Sequence, residues 1–484
     1  MVYRENVLTD NLRVLLDKLY VLLSRRYLSS SMLEPVRRWY DAGYPPEDVE
    51  VLALVAALYD FQMRVAILRT NFSLLLKYLS SKGLIIRDLA DPEVSARAVE
   101  FVTKHNVGFF HRFDRYGLAL PVIVSAAYEA KLRDSAERIV KEVRRDSRRF
   151  NNDYVGLRVA RKLLSKLWGT ESVRRVLDSE CGAAKALKLI LPKPDSASLL
   201  KRMNLFLRWV VRDEYPDLGL WSFIRRDELV VPLDSSIARV CGRLVAGREL
   251  RPNSAKSLRI VMNLLRRINP ADPVRYDFVL SRPAILGWCK KDLLQSDCDV
   301  CPLRGHCLAA KQVPHHSVWA PRKKGEGPEH KKGKSLALDA VKDRFTVKEL
   351  RTGAELRCWR ERTIDHGLRP DIYCENDAIV VGEVKVLRRM PRKPSEMEGI
   401  TQLIRYYKYV VEEGLSGGRP IKAVLAYYVP KEDVRIPQEV CSVLEEMAML
   451  ALVHGSNVEG SIVKEDIIVL EVRPEGRVKE LCRA

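Results

Sequence analysis

The stretch "RPDIYCENDAIVVGEVKV", Arg369 to Val386, interrupts runs of Ile and Val with Asp371, Glu383 and Lys385. Two β-prone segments flank Asn376 and Asp377, residues that suit a tight turn, so the stretch reads as a hairpin. Along a strand, side chains two apart share a face; Glu383 and Lys385 therefore point together, while Val384 and Val386 point into the core. The symmetric register sets Asp371 opposite Glu383, with Cβ atoms about 5 Å apart. Two carboxylates that close repel unless a cation lies between them. A hydrated Mg²⁺ or Mn²⁺ held by Asp371 and Glu383 would polarise a phosphate and activate a water, with Lys385 orienting that water or offsetting developing charge.

Working outward, the helix around "ITQLIRYYKYVVEEG" carries Gln402 and Tyr406, four apart and hence on one face, within reach of the same site. A helix, "SLALDAVKDRFTVKEL", and a strand, "ELRCWRERTI", precede the hairpin, and a strand, "KAVLAYYVP", follows the second helix. Residues 335–484 therefore read as an α/β domain. The strings "RPD", "GEVK" and "QLIRY" resemble the PD-(D/E)XK nuclease superfamily, particularly its RecB-type members, over about residues 335–430. The resemblance implies a restriction-endonuclease-like fold, with Asp371 and Glu383 as metal ligands and Lys385, Gln402 and Tyr406 completing a site that hydrolyses DNA phosphodiesters. In that superfamily an acidic residue on the preceding helix often assists; Asp339 and Asp343 stand there without a matching motif.

Upstream, "PHHSVWAPRKKGEGPEHKKGK" replaces apolar periodicity with Gly, Pro and Lys, so residues 311–334 read as a basic flexible linker. Before it, "CKKDLLQSDCDVCPLRGHC" places Cys289, Cys298, Cys301 and Cys307 within nineteen residues, a ligand pattern more than a disulfide framework. Four convergent thiolates can enclose zinc or a [4Fe-4S] cluster. His306 beside Cys307 reads as a solvated loop histidine or as a replacement ligand for zinc. The last three cysteines, with gaps of two and five residues, look like the iron-sulfur loop of endonuclease III type DNA glycosylases.

Residues 1–310 read as an all-α unit, with apolar residues recurring at three and four in "NLRVLLDKLYVLL", "SASLLKRMNLFLRWVV" and "SAKSLRIVMNLLRRI". On the helix from Ser198, Leu199, Met203, Phe206 and Val210 form an apolar stripe, and Lys201, Arg208 and Arg212 a charged one, which reads first as a solvated face. In "VPLDSS", Asp234 or Ser235 suits a helix N-cap. The strings "KRMNLFLRWVVR", "DLGLW", "PLD" and "DPVRYDF" resemble the helix-hairpin-helix DNA glycosylase superfamily, in a glycosylase-like family, over about residues 30–290. The resemblance implies an essential carboxylate at Asp234. Lys201, 33 residues earlier, corresponds to a nucleophile at that place in archaeal 8-oxoguanine glycosylases. The superfamily's Gly-rich hairpin is here "PKPDSAS", without glycine. Trp209, Trp221 and Tyr276 read as packing residues before base-stacking ones.

A chain of 484 residues with a net charge of +20 fits several domains and a polyanionic partner, DNA first. No signal core or membrane-length apolar run is present, which reads as a cytoplasmic protein. The whole reads as a multidomain DNA repair enzyme. Its glycosylase and AP lyase-like half is tethered to a metal-dependent nuclease, or that helical half serves as a non-catalytic DNA-binding module.

Overall fold

The computed structural model of the protein describes residues 2–29, 31–60, 65–105, 117–147, 154–179, 181–194, 200–313, 327–344, 356–364, 369–376, 378–389, 399–412, 414–436, 439–452 and 467–483. The chain packs as two compact units, one of Met1–Gly242 with Leu250–Leu280, the other of Arg243–Glu249 with Ser281–Ala484. No described helix is long and apolar enough to cross a membrane.

The first unit has helices and no strand among its described residues: α1 (Val2–Ser29), α2 (Leu33–Asp41), α3 (Pro46–Tyr59), α4 (Val65–Ser81), α5 (Pro92–His105), α6 (Leu120–Glu129), α7 (Leu132–Ser147), α8 (Val155–Trp168), α9 (Glu171–Leu177), α10 (Gly182–Ile190), α11 (Lys201–Val211), most of α12 (Ser235–Ala246), α13 (Ala255–Ile268) and the start of α14 (Asp277–Ile285). Pro46 opens α3, where its missing N–H costs nothing. The α3 sequence is apolar on all sides, and every residue from Asp48 to Tyr59 is buried, so α3 is a central helix. Against it packs α11, entered through Leu200, whose left-handed φ of 52° is rare for a branched residue.

The stripe of α11 behaves partly as expected. Met203, Phe206 and Val210 are buried, while Leu199 lies outside the described residues. The charged stripe is not a solvated face: Arg208 and Arg212 are completely buried. Arg208 pairs with Asp217 and Asp277, both at 3.0 Å, and Arg212 with Asp217, Glu214 and Asp272. Loop carboxylates brought under the helix make burial tolerable, because each guanidinium is paired with at least two of them. Trp209, Trp221 and Tyr276 are also buried, as packing residues.

The second unit is built on a six-stranded sheet in the order β1 (Arg357–Arg360), β2 (Ile372–Glu375), β3 (Ile379–Val386), β4 (Ile421–Tyr428), β5 (Ile467–Val472), β6 (Val478–Arg483). The pairs β3–β4 and β4–β5 are parallel and the others antiparallel. The near-continuous apolar runs of β3, β4 and β5 suit strands covered on both faces. On one face, Ala337, Leu338 and Val341 of α15 (Pro328–Arg344) meet Ile372, Cys374, Val380 and Val384. Helix α16 (Ile400–Glu412) packs on β3 and β4, and α17 (Glu439–Leu452) packs against α16.

Three features differ from the sequence reading. Helix α15 begins at Pro328, so the end of the expected linker is helical; residues 314–326 lie outside the described residues. The cysteine segment packs within the second unit, where its acidic residues meet basic residues of α16. Two disulfides, Cys358–Cys374 between β1 and β2 and Cys441–Cys482 between α17 and β6, join cysteines that are far apart in sequence. Cys289, Cys298, Cys301 and Cys307 form no disulfide.

Candidate active site

Strand register creates the carboxylate pair. Ile372 lies opposite Gly382, so one step beyond the ladder Asp371 faces Glu383. The Val384 N–H donates to Asp371 Oδ2 at 2.9 Å. Both acids are buried, Asp371 to 8% exposure and Glu383 to 2%, which makes their charges expensive. Lys385 Nζ stands 2.6 Å from Glu383 Oε1, whereas Glu383 Oε2 is buried without a hydrogen-bond partner among the described residues. Burial above all, and then repulsion from Asp371, push the Glu383 carboxyl from 4.5 up to about 8.

Helix α16 closes the other side. Lys385 Nζ donates to Gln402 Oε1 at 3.4 Å, Gln402 Nε2 to Tyr406 Oη at 2.7 Å, and Tyr406 Oη to the Arg369 carbonyl at 3.0 Å. Gln402 and Tyr406 therefore tie the lysine to the backbone two residues before Asp371. Burial first, then the Glu383 charge, keep the Tyr406 hydroxyl protonated far above its ordinary range. Gly399 precedes this helix at φ 96°, and a Cβ there would stand 2.9 Å from Lys385 Cγ and 3.3 Å from Glu383 Cγ. Only glycine allows α16 this close an approach.

The site also contains residues that the sequence reading assigned to the linker or did not single out. On α15, His330 Nε2 lies 3.7 Å from Asp371 Oδ2 and donates to the Val384 carbonyl at 2.9 Å, while Lys334 Nζ lies 2.7 Å from Asp371 Oδ1 and also meets Glu361. Burial acts to raise the Asp371 carboxyl, but His330, Lys334 and the Val384 N–H outweigh it and hold it below the usual range. The hydrogen bond to Asp371 holds His330 above its ordinary value. The available signal is the spacing of His330, Lys334, Leu338 and Val341, one helical face hidden by neighbouring Gly and Lys. Asp339 lies on the same helix without a described contact to the pair, and the side chain of Asp343 lies outside the described residues.

In the first unit, Lys201 Nζ is 3.0 Å from Asp60 Oδ2, and Asp234 adds a second negative charge nearby. Burial acts to lower the Lys201 amine; Asp60 and Asp234 outweigh it and leave it above its ordinary value. Asp234 Oδ1 accepts the Ile237 N–H at 2.8 Å, the N-cap role expected for it. Asp60 caps the end of α3 and was not legible as part of this cluster. Within "PKPDSAS", Asp195 to Ser198 lie outside the described residues.

The cysteine segment is held by charge on both sides. Arg243 Nη1 donates to Cys289 Sγ and to Ser296 Oγ, both at 3.1 Å. Asp297 and Asp299, flanking Cys298, pair with Arg405 of α16, and Lys408 Nζ donates to the Asp299 carbonyl at 2.8 Å. Burial first, then the charges of Cys307 and Cys289, raise the Cys298 thiol to about 11. His306 is half-buried rather than solvated, and burial lowers its imidazole.

Among the described residues no three His, Cys, Asp or Glu side chains are grouped so as to hold a metal ion. The donor chemistry nevertheless suits two groups. Glu383, with one oxygen lacking a hydrogen-bond partner among the described residues and Asp371 opposite, is a place where a hard cation relieves repulsion. Four thiols outside disulfides, with Arg243 and Arg304 near Cys298, are a soft donor set whose anionic charge has counter-charge at hand.

The family described as Protein of unknown function (DUF2400) matches residues 39–286. The matched segment contains Lys201 and Asp234 and ends before Cys289 and the carboxylate pair. No curated protein and no solved structure matches the chain.

Proposed function

We propose that this chain, which belongs to the DUF2400 family, is a divalent-metal-dependent DNA nuclease whose second unit hydrolyses phosphodiester bonds. The observation that carries the reading is the opposed pair Asp371 and Glu383, with the Glu383 carboxyl at about 8 and one of its oxygens without a partner among the described residues. Such a pair is costly as folded and becomes favourable when a cation sits between the charges. Asp371 and Glu383 would hold Mg²⁺ or Mn²⁺, with the His330 imidazole adjacent. A bound ion would polarise the phosphodiester and lower the pKa of the attacking water.

The chain's own groups account for the rest. Lys385 presents an ammonium beside Glu383, positioned to hold the incoming water or balance charge on the phosphate. Gln402 fixes that ammonium, and Tyr406 fixes Gln402. Lys334 neutralises Asp371 at Oδ1. A PD-(D/E)XK assignment of the RecB type fits the order of these residues on hairpin and helix.

A second activity, DNA glycosylase with AP lyase chemistry, is supported by the convergence of Lys201 with Asp234 and Asp60. There Asp234 would take a proton from Lys201, whose Nζ would then bond to C1′ of a flipped nucleotide as the glycosidic bond breaks, the base leaving with that bond's electron pair and receiving the proton, or Asp234 would balance the developing positive charge. The same ion pairs hold Lys201 as an ammonium, which favours the alternative in which this unit binds DNA without chemistry. Cys289, Cys298, Cys301 and Cys307 would hold a [4Fe-4S] cluster, or zinc, supplying structural closure. Together these readings make a DNA repair enzyme. The test is a panel of intact, abasic and damaged DNA substrates with Mg²⁺ or Mn²⁺ against EDTA, combined with borohydride trapping. Metal-dependent cutting lost in Asp371→Asn supports the nuclease; a metal-independent adduct lost in Lys201→Ala adds the lyase.

A further inference from the structure

We infer that the β1–β2 edge of the sheet is a stacking surface for single-stranded DNA that leads the strand to the carboxylates. This inference rests on the nuclease reading and names the substrate form of that site. Three observations carry it. First, the register pairs Trp359 with Tyr373 and Tyr373 with Val381. Alternation then places Trp359, Tyr373, Asp371 and Glu383 on one face of the sheet. From sheet spacings, the Trp359 backbone is roughly 8 Å from that of Asp371. The intervening Glu361 N–H donates to the Asp371 carbonyl at 3.2 Å, so the surface is continuous with the site.

Second, Trp359 is 37% exposed, whereas Trp209, Trp221 and Trp288 are buried. Its indole is held by the Arg362 guanidinium, 4.3 Å from the Trp359 ring centroid and 5.0 Å from that of Tyr373. Arg362 is itself anchored to Glu375 at 2.6 Å. A large aromatic kept in place by a fixed cation yet left open to solvent loses little entropy when a base stacks on it. Helix α16 packs on β3 and β4.

Third, the charge is complementary to a phosphate chain. Arg357, two residues before Trp359 and so on its face, is exposed and among the described residues pairs with no carboxylate, while Arg362 stands over the Trp359 ring. Two guanidiniums beside one aromatic on an edge strand match a backbone with bases turned inward. A duplex keeps its bases stacked on one another and offers no free π-face to Trp359. The preferred occupant is therefore a single strand.

The test uses the full chain in EDTA, so that binding is read without cleavage, with fluorescein-labelled oligo-dT, the matching duplex and oligo-U. Wild type is expected to bind oligo-dT more tightly than duplex. Trp359→Ala should weaken oligo-dT binding about tenfold, and Trp359→Phe should retain most of it. Intrinsic fluorescence should be quenched by oligo-dT in wild type and not in Trp359→Phe. Unchanged far-UV circular dichroism of both variants keeps the comparison valid. Equal affinity of Trp359→Ala and wild type overturns the inference even where metal-dependent cutting is intact. Loss of affinity in a protein that cuts nothing leaves the surface standing and removes the nuclease reading. Tighter binding of oligo-U than oligo-dT, or of duplex than single strand, overturns the choice of partner.

Discussion

Replacing Glu383 by Gln should stabilise the metal-free protein, and more at pH 8 than at pH 5. In the folded state the Glu383 carboxyl is held at about 8 instead of 4.5, chiefly because it is buried and then because Asp371 faces it. The proton is bound more tightly folded than unfolded. Its contribution to stability is therefore complete below the unfolded value and is lost as pH rises through about 8. At about 1.4 kcal/mol per pKa unit, the loss between pH 5 and pH 8 is about 3 kcal/mol. Glutamine has the shape of the protonated acid and never ionises, so the variant escapes that loss. Pulse proteolysis across a urea series in EDTA, at both pH values, reads the difference. With Mn²⁺ present the order should reverse, since only wild type gains from the ion. A Glu383→Gln protein less stable than wild type at pH 8 in EDTA, or one whose advantage is the same at both pH values, would refute the reasoning.

Other perturbations have equally definite outcomes. Asp60→Asn removes the carboxylate nearest Lys201 and should lower the amine's pKa; borohydride trapping on abasic DNA should then reach its maximum at lower pH than in wild type. Metal-dependent cutting should not change in that variant. Arg405→Ala leaves Asp297 and Asp299 without their guanidinium, and should cost about 1–3 kcal/mol, with hydrogen exchange rising at residues 297–301 and 400–412. Cys441→Ser opens a disulfide that closes a separation of 41 residues; urea midpoints under oxidising conditions should fall by the equivalent of about 4 kcal/mol, with little change under reducing ones.

The pairing of Asp371 with Glu383 was legible because a hairpin's register follows from its turn, and in the sequence the turn-prone pair Asn376 and Asp377 separates two clear β-prone runs. Gln402 and Tyr406 were legible for a similar reason, since helical spacing alone puts them on one side. The remaining parts depend on distant partners. Nothing near Arg208 and Arg212 announces that Asp217, Asp272 and Asp277 will be folded beneath them, so a charged stripe on α11 reads as solvated until the loops are placed. The cysteine segment looks like the end of the helical domain, yet its position is set by Arg405, more than a hundred residues later. His330 and Lys334 were masked by local composition: glycine and lysine lower the apparent helicity of a segment whose burial comes from packing on the sheet. Cys358 and Cys374 pair because β1 and β2 are register neighbours, a relation that spacing along the chain does not reveal.

The central claim is that Asp371 and Glu383 together bind a divalent cation. Calorimetric titration of Mn²⁺ into wild type, Asp371→Asn and Glu383→Gln at pH 7, repeated in two buffers of different ionisation enthalpy, tests it directly. The account predicts a site in wild type whose filling expels close to one proton, with that heat absent from both variants. Equal Mn²⁺ affinity in all three proteins would contradict it.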